Sequence, residues 1–383
     1  MPAIPFEFFL FALTLVGVAV VHHRNFEVAL GGLLVIAGYK ALALHYDLLP
    51  HLIHELPLLA NLFGLLVGFA ILAKYFEQSR LPDLMPHWLP DDWRGGFVLL
   101  VMVAIISTFL DNIAAAMIGG VVARHVFQGR VRVGYLAAIV AASNAGGAGS
   151  VVGDTTTTMM WIAGVPAIDV VHAFIASVVA VLFSGFFAAR QQQAYQPIVK
   201  DWPRDHTVDW PRLGVVGLIV GGAVLANVAF DFPALGVWVA ILLGALWRPA
   251  PWGEGRHAIK GSLFLLCLVT AASLMPVHEL PAASVQTTFG LGFVSAVFDN
   301  IPLTKLALDQ GGYDWGMLAF AVGFGGSMLW FGSSAGVAIS NEYEEAKDTW
   351  RWLKEGWHVP VAYVLGFWVL YFALGWHHVP IAR

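Results

Sequence analysis

Charge is scarce in this chain. Asp, Glu, Lys and Arg supply 12% of its 383 residues, about half the share usual in a soluble domain, so the composition does not describe a charged surface over a buried core. Cysteine is nearly absent: Cys267 stands alone in an apolar run, which excludes an internal disulfide. A basic excess is missing as well. The formal net charge of -5 is spread through loops and offers no footprint for nucleic acid. Nor does a charged amino-terminal region lead to a small-residue cleavage site, so no removable leader is expected.

What fills the chain is hydrocarbon. Hydrophobic residues make up 58% and the mean hydropathy is +0.74, values of a polytopic membrane protein. The expected fold is an all-α membrane bundle of about ten spans of ~20 residues each. Spans read as 5–21, 27–44, 57–75, 170–189, 213–230, 234–247, 260–276 and 358–376. The polar loop 190–212, with Arg190, Lys200, Arg204 and Arg212, is the expected boundary between halves.

Four further apolar stretches are interrupted by polar residues. The first, 96–127, breaks at Asp111-Asn112 and the second, 285–309, at Asp299-Asn300. Each arm of the first rises ~20 Å against a ~30 Å hydrocarbon core, so both stretches are expected to be re-entrant hairpins with Asp-Asn at the tip. The other two, 132–165 and 315–338, are expected to be helices broken at glycines. The centre of the first holds the Asn144 amide, Asp154, hydroxyls and Gly146, Gly147, Gly149 and Gly153. Irregular backbone survives at membrane depth only where it lines a polar cavity, so these polar atoms are expected to turn inward and hold an ion.

The interruptions repeat. Ser107 precedes Asp111-Asn112-Ile113 as Ser295 precedes Asp299-Asn300-Ile301, and Gly146-Gly147 precedes Gly153-Asp154-Thr155 as Gly325-Gly326 precedes Gly332-Ser333-Ser334. Placing the loops at 22–26, 76–95, 127–133, 190–212, 248–260 and 341–357, with their flanking helix ends, in the cytoplasm collects every basic residue except Lys40, Lys305 and Arg383, the positive-inside pattern. Trp88, Trp93, Trp210, Trp247, Trp252 and Trp357 then fall near span ends, as an interfacial belt requires. This arrangement puts both termini outside and makes the halves inverted. Residues 1–95 and 191–284 become scaffold helices, and 96–190 and 285–383 two repeats of a transport domain. Paired glycine-interrupted segments in inverted repeats point to the binding site of a secondary transporter.

A hard cation such as Na+ takes oxygen ligands from carboxylates, amides, hydroxyls and unwound carbonyls. Asp111, Asn112, Ser107 and the carbonyls near Gly153 make one such set; Asp299, Asn300, Ser295 and the carbonyls near Gly332 make its counterpart. The plainer reading is that the aspartates cap the following helices and the serines bond within turns. Intramembrane carboxylates are costly and functional by default, which favours the first reading. For Asp154 the rival reading is a helix cap; the favoured one is an acid at low dielectric, able to exchange a proton for a cation. Lys305 either snorkels to the outer surface or pairs with Asp299 in place of a cation; Lys40 is expected to snorkel.

At Leu110-Asp-Asn-Ile113, Gly153-Asp-Thr-Thr-Thr-Thr-Met159, Ser295-Ala-Val-Phe-Asp-Asn-Ile-Pro302, and Gly325-Gly-Ser through Gly332-Ser-Ser-Ala-Gly-Val337, the chain resembles the NhaD-type Na+/H+ antiporters of the ion transporter superfamily. The resemblance runs from about residue 96 to the end. It implies a homodimer in the inner membrane, no cofactor, and Na+ or Li+ and H+ as substrates moved by alternating access. It carries a cation-binding role to Ser107, Asp111, Asn112, Asp154, Thr157, Ser295, Asp299, Asn300, Ser327 and Ser333. The chain departs from the family where Ala114, Ala115 and Ala116 replace the usual threonines and where Lys305 replaces an uncharged residue. Two alternatives differ in class. An anion carrier of the same fold would hold a carboxylate or oxyanion beside the cation, but carboxylates at both tips would repel it. An intramembrane aspartyl protease would need a Gly two residues before its aspartate, whereas Gly149 lies five before Asp154.

Overall fold

The computed structural model describes residues 5–21, 24–199 and 207–378. Lys200, Arg204 and Arg383 lie outside the described residues, as do both extreme ends. Every regular element is a helix among the described residues. Helices α1 (Phe6–Val20), α2 (Asn25–Ala43) and α3 (Leu48–Gln78) lead to a short α4 (Met85–Trp88). Next come α5 (Trp93–Ile106), α6 (Asn112–Val126), α7 (Val133–Ala148), α8 (Thr155–Ile162), α9 (Ala167–Val171) and α10 (Ala173–Tyr195). The second half holds α11 (Trp210–Phe230), α12 (Pro233–Gly244), α13 (Trp252–Ser273), α14 (Val285–Ser295) and α15 (Asn300–Gln310). It ends with α16 (Trp315–Gly325), α17 (Ser334–Glu342), α18 (Thr349–Glu355) and α19 (His358–Leu374).

Both expected hairpins and both expected helix breaks coincide with gaps between helices. Two elements start earlier than the hydropathy suggests. The third helix begins at Leu48, where Asp47 accepts from the Leu49 N–H at 3.2 Å, and it runs through Pro57. That proline supplies no N–H to the turn before it, yet the helix continues. Similarly α13 begins at Trp252, and Arg256 and Lys260 on its early turns are why hydropathy starts the span later.

Length and apolar composition together mark four helices as able to cross a membrane: Asn25–Ala43, Leu48–Gln78, Ala167–Tyr195 and Trp210–Phe230. A fifth follows if α18 and α19, bent by 59°, form one span. The remaining apolar helices, such as Trp93–Ile106, Val133–Ala148 and Trp315–Gly325, are of 10–17 residues. At 1.5 Å per residue these fall short of a ~30 Å core, so about ten spans is more than helix length by itself provides.

Packing explains why the short helices hold together. Every residue of α7 and every residue of α16 is buried, the state expected of a helix apolar all round. They pack against each other, and α5, α10, α14 and α19 enclose them. Around a second cluster, Phe11, Leu15, Ile36 and Leu268 join α1, α2 and α13. Helix α3 lies between α13 and the α11–α12 pair, and Asn61 fastens it to α12 by accepting from the Ala234 N–H at 3.0 Å. The two groups meet where α13 packs on α15 and α3 on α8.

Lys40 corrects an expectation. Its ammonium does not reach a surface but donates to the Leu274 carbonyl at 2.6 Å and sits 4.3 Å from the Tyr46 ring centre. An open carbonyl at the end of α13 is thereby satisfied.

Candidate cation site at the helix breaks

Two tips share one geometry. Asp111 has φ -52°, ψ 142° and accepts from the Ile113 N–H at 3.1 Å. Asp299 has φ -52°, ψ 139° and accepts from the Ile301 N–H at 3.0 Å. Each carboxylate therefore caps the following helix, as the plainer reading holds. The breaks in the long stretches match in the same way. Asp154 (φ -144°, ψ 143°) accepts from the Thr156 N–H at 3.3 Å and its hydroxyl at 2.9 Å. Ser333 (φ -140°, ψ 154°) accepts from the Gly336 N–H at 3.3 Å.

Packing between tip and break recurs too. Ser107 Oγ donates to the Ser143 carbonyl at 2.6 Å, and Ser295 Oγ to the Val322 carbonyl at 2.6 Å; both acceptors lie three residues before a Gly-Gly pair. A methyl group placed on Gly146 would stand 2.0 Å from the Ala104 carbonyl oxygen, and one on Gly325 2.3 Å from that of Gly292. Only glycine lets backbone approach that closely. The same spacing governs Gly153 and Gly332, where an added carbon would meet the Ser107 oxygen at 2.0 Å and the Ala296 oxygen at 2.4 Å.

Asp111, Asn112, Asp154, Asp299, Asn300 and Ser333 line one cavity of about 830 Å³. Among the described residues no three His, Cys, Asp or Glu converge tightly enough to form a metal cage. The cavity continues past Ala114 and Met117 to Lys74, Glu77, Asp83 and Glu254.

Behind this lining lies a buried row. Asn112 Nδ2 donates to Asn144 Oδ1 at 3.0 Å, and Asn144 Nδ2 in turn reaches Ser327 Oγ at 2.9 Å and Ser333 Oγ at 3.1 Å. Thr157 Oγ1 donates to the Ser150 carbonyl at 2.6 Å and the Asp154 carbonyl at 2.9 Å. So Ser107, Asn144, Gly153, Thr157, Ser295 and Ser327 brace the lining rather than forming it. The halves differ at the breaks, where Asp154 matches Ser333, and in the row behind them. Asn300, also buried, has an Nδ2 without a protein partner, because Gly323 stands where the matching helix carries Asn144.

Lys305 requires the second correction. Its ammonium is 2.9 Å from Glu55 and 2.7 Å from Asp309, with the side chain 3% exposed. It neither snorkels to the surface nor takes Asp299 as its partner, because Glu55 of α3 is brought against α15. Sequence reasoning also passed over Ser334, whose hydroxyl donates to Asp299 at 3.4 Å. The signal was the alignment of Gly332-Ser333-Ser334 with Gly153-Asp154-Thr155.

Buried broken helices around a carboxylate-lined cavity define the class: a multi-pass, all-helical membrane protein with a polar site at its helix breaks. The relatives narrow it. The chain is 29% identical over 297 residues to Sodium/proton antiporter 1 of Arabidopsis thaliana, covering 64% of this chain and 49% of that one. It is 25% identical over 329 residues to the Na(+)/H(+) antiporter NhaD of Halomonas elongata (70% and 66%) and 26% identical over 333 residues to NhaD of Vibrio parahaemolyticus (69% and 78%). The chain thus spans about half the length of the first of these and about two thirds of the second. No family model matches it. The chain is thus similar in sequence to proteins named as sodium/proton antiporters, NhaD among them.

Proposed function

We propose that this chain is a secondary-active antiporter that exchanges Na+ or Li+ for protons. The observation that carries the reading is that Asp111, Asp154 and Asp299, from two hairpin tips and a helix break, line one cavity. A carboxylate in such a site can hold a cation or a proton but has little use for both. Asn112, Asn300, Ser333 and carbonyl oxygens near Gly153 and Gly332 supply neutral ligands. The relatives named as sodium/proton antiporters support the choice of ions.

On this reading the repeated tip-and-break contacts belong to inverted repeats with re-entrant hairpins. The α5–α10 and α14–α19 group is the transport domain, and α1–α3 with α11–α13 the scaffold. The cavity extends toward Lys74 and Glu77 at the end of α3, Asp83, and Glu254 at the start of α13, beside the loops that the positive-inside pattern assigns to the cytoplasm, so this conformation faces inward. A homodimer in the inner membrane with both termini outside completes the picture. An anion carrier could use a buried cation such as Lys305, but its ammonium is engaged by Glu55 and Asp309. In everted vesicles containing the chain, added Na+ or Li+ dissipates an imposed proton gradient. No response to either ion from mildly acidic to alkaline pH would overturn the proposal.

A further inference from the structure

Position 323 breaks the repeat. In the first half Asn144 of α7 accepts from the Asn112 amide at 3.0 Å and reaches across to Ser327 Oγ at 2.9 Å and Ser333 Oγ at 3.1 Å. The repeat's register makes Gly323 of α16 the counterpart of Asn144, and Ala148 and Asp154 the counterparts of Ser327 and Ser333. The packing follows that register, since a β-carbon placed on Gly323 would lie 3.4 Å from Ala148 Cβ and 3.4 Å from Asp154 Oδ2. Asn300, the counterpart of Asn112, thus directs its amide toward a position that has no side chain. Asn300 is 3% exposed, and its Nδ2 has no protein partner among the described residues.

Packing does not demand a glycine here. At Gly146 and Gly325 an added carbon would strike a carbonyl oxygen at 2.0 Å and 2.3 Å, whereas at Gly323 its nearest neighbours stand at ordinary contact distance. Alanine would also be the better helix former within α16, because glycine gives up more backbone entropy on folding. What a methyl group at 323 would crowd is the space between a carboxylate oxygen and a buried amide, and both Asp154 and Asn300 line the cavity. The two ends of an amide are alike in shape, so with Nδ2 unpartnered nothing prevents Asn300 from turning its oxygen inward. A carboxylate oxygen and an amide oxygen are the hard ligands that an alkali cation takes.

We propose that Gly323 is the residue that determines which cation the site accepts. The ion sits between Asp154 and Asn300 against the bare α16 backbone, on one side of the pseudo-symmetric site, while the Asn144 side chain fills the matching place on the other. Asp154 and Asn300 supply ligands; Gly323 supplies none and fixes the width of the seat. This deepens the antiport reading and rests on it for transport, though not for the binding of the ion.

Two measurements on the full chain test this. Gly217→Ala of α11, where an added carbon meets nothing within 4 Å, serves as the reference for an ordinary glycine change. The first measurement is calorimetric titration of the purified chain with Na+ and with Li+; the second is the KM for each ion in cation-driven proton flux in proteoliposomes. In both, Gly323→Ala weakens Na+ at least about fivefold more than the smaller Li+, with a thermal midpoint equal to or above that of wild type. Gly323→Asn, which restores a side chain like Asn144, weakens both ions by more than about tenfold; should it fold poorly, the alanine variant decides alone. A Li+-to-Na+ preference left unmoved by Gly323→Ala in either measurement would overturn the seat. So would a wild type that binds neither ion, or a loss shared equally by both ions with a lowered midpoint, which would assign Gly323 to packing. A preference that shifts in the calorimeter with a wild type that drives no proton flux refutes the antiport reading instead and leaves the seat standing.

Discussion

Asparagine caps a helix about as well as aspartate does, which makes the three cavity carboxylates separable from their structural task. In Asp111→Asn, Asp154→Asn and Asp299→Asn the bonds to the Ile113, Thr156 and Ile301 N–H groups survive while the charge is lost. Each variant is expected to retain its thermal midpoint to within a few degrees and to lose on the order of 100-fold in Na+-driven flux, about 2.7 kcal/mol of barrier. Flux and unfolding measured on the same preparations check this, and equal losses in both would assign these residues to folding alone. The amides next to the tips part company. Asn112→Ala leaves Asn144 without its buried donor and is expected to cost about 1–3 kcal/mol of stability. Asn300→Ala removes a donor that has no protein partner, so it is expected to leave stability nearly unchanged and to act on the KM for Na+. The Asp-Asn tips were legible because a carboxylate and an amide inside an apolar run are too costly to stand there idle. The Leu274 partner of Lys40 and the Glu55 partner of Lys305 were not, since both lie far off in sequence; only Asp309, four residues after Lys305 on the same helix, was open to a local reading.

At the scale of elements, the glycines divide by what surrounds them. Gly146→Ala and Gly325→Ala would drive a methyl group into a carbonyl oxygen of α5 or α14, so each is expected to destabilise by about 1–3 kcal/mol. Gly217→Ala on α11 meets nothing within 4 Å, so it is expected to be neutral or to stabilise by up to about 1 kcal/mol. Thermal unfolding of the three variants in one detergent checks the contrast. Helix breaks were readable because glycine pairs and hydroxyls interrupt hydrocarbon. The start of α3 was not, because Pro57 and the histidines of 48–56 look like a loop, whereas tertiary contacts carry the helix through them. How few helices reach spanning length also escaped hydropathy, which registers apolar content and not where a helix stops.

Across the whole molecule, the halves are clasped on the side of the basic loops. Asp209 caps α11, its carboxylate accepts from Arg212 at 3.2 Å and Arg248 at 3.1 Å, and its N–H donates to the Ser79 carbonyl at 2.9 Å. Partial burial pushes this carboxyl up, but Arg248 and the Arg212 N–H outweigh it and hold the group below its ordinary value. Stability from the clasp is therefore fully present above the ordinary carboxylate range and lost as pH falls through the lower, folded value. Asp209→Asn is expected to cost about 0.5–1 kcal/mol near neutral pH and to flatten the acid limb of a stability-versus-pH curve; an acid limb identical to wild type would refute the assignment. The burial of α7 and α16 on every side has a last consequence. A rod with no outward face cannot slip past its neighbours without tearing a void on one flank and a clash on the other. On the proposed antiport reading, whatever turns the three acids toward the opposite side of the bilayer must therefore carry these two helices inside their jacket, as a single cargo sliding against α3 and α13.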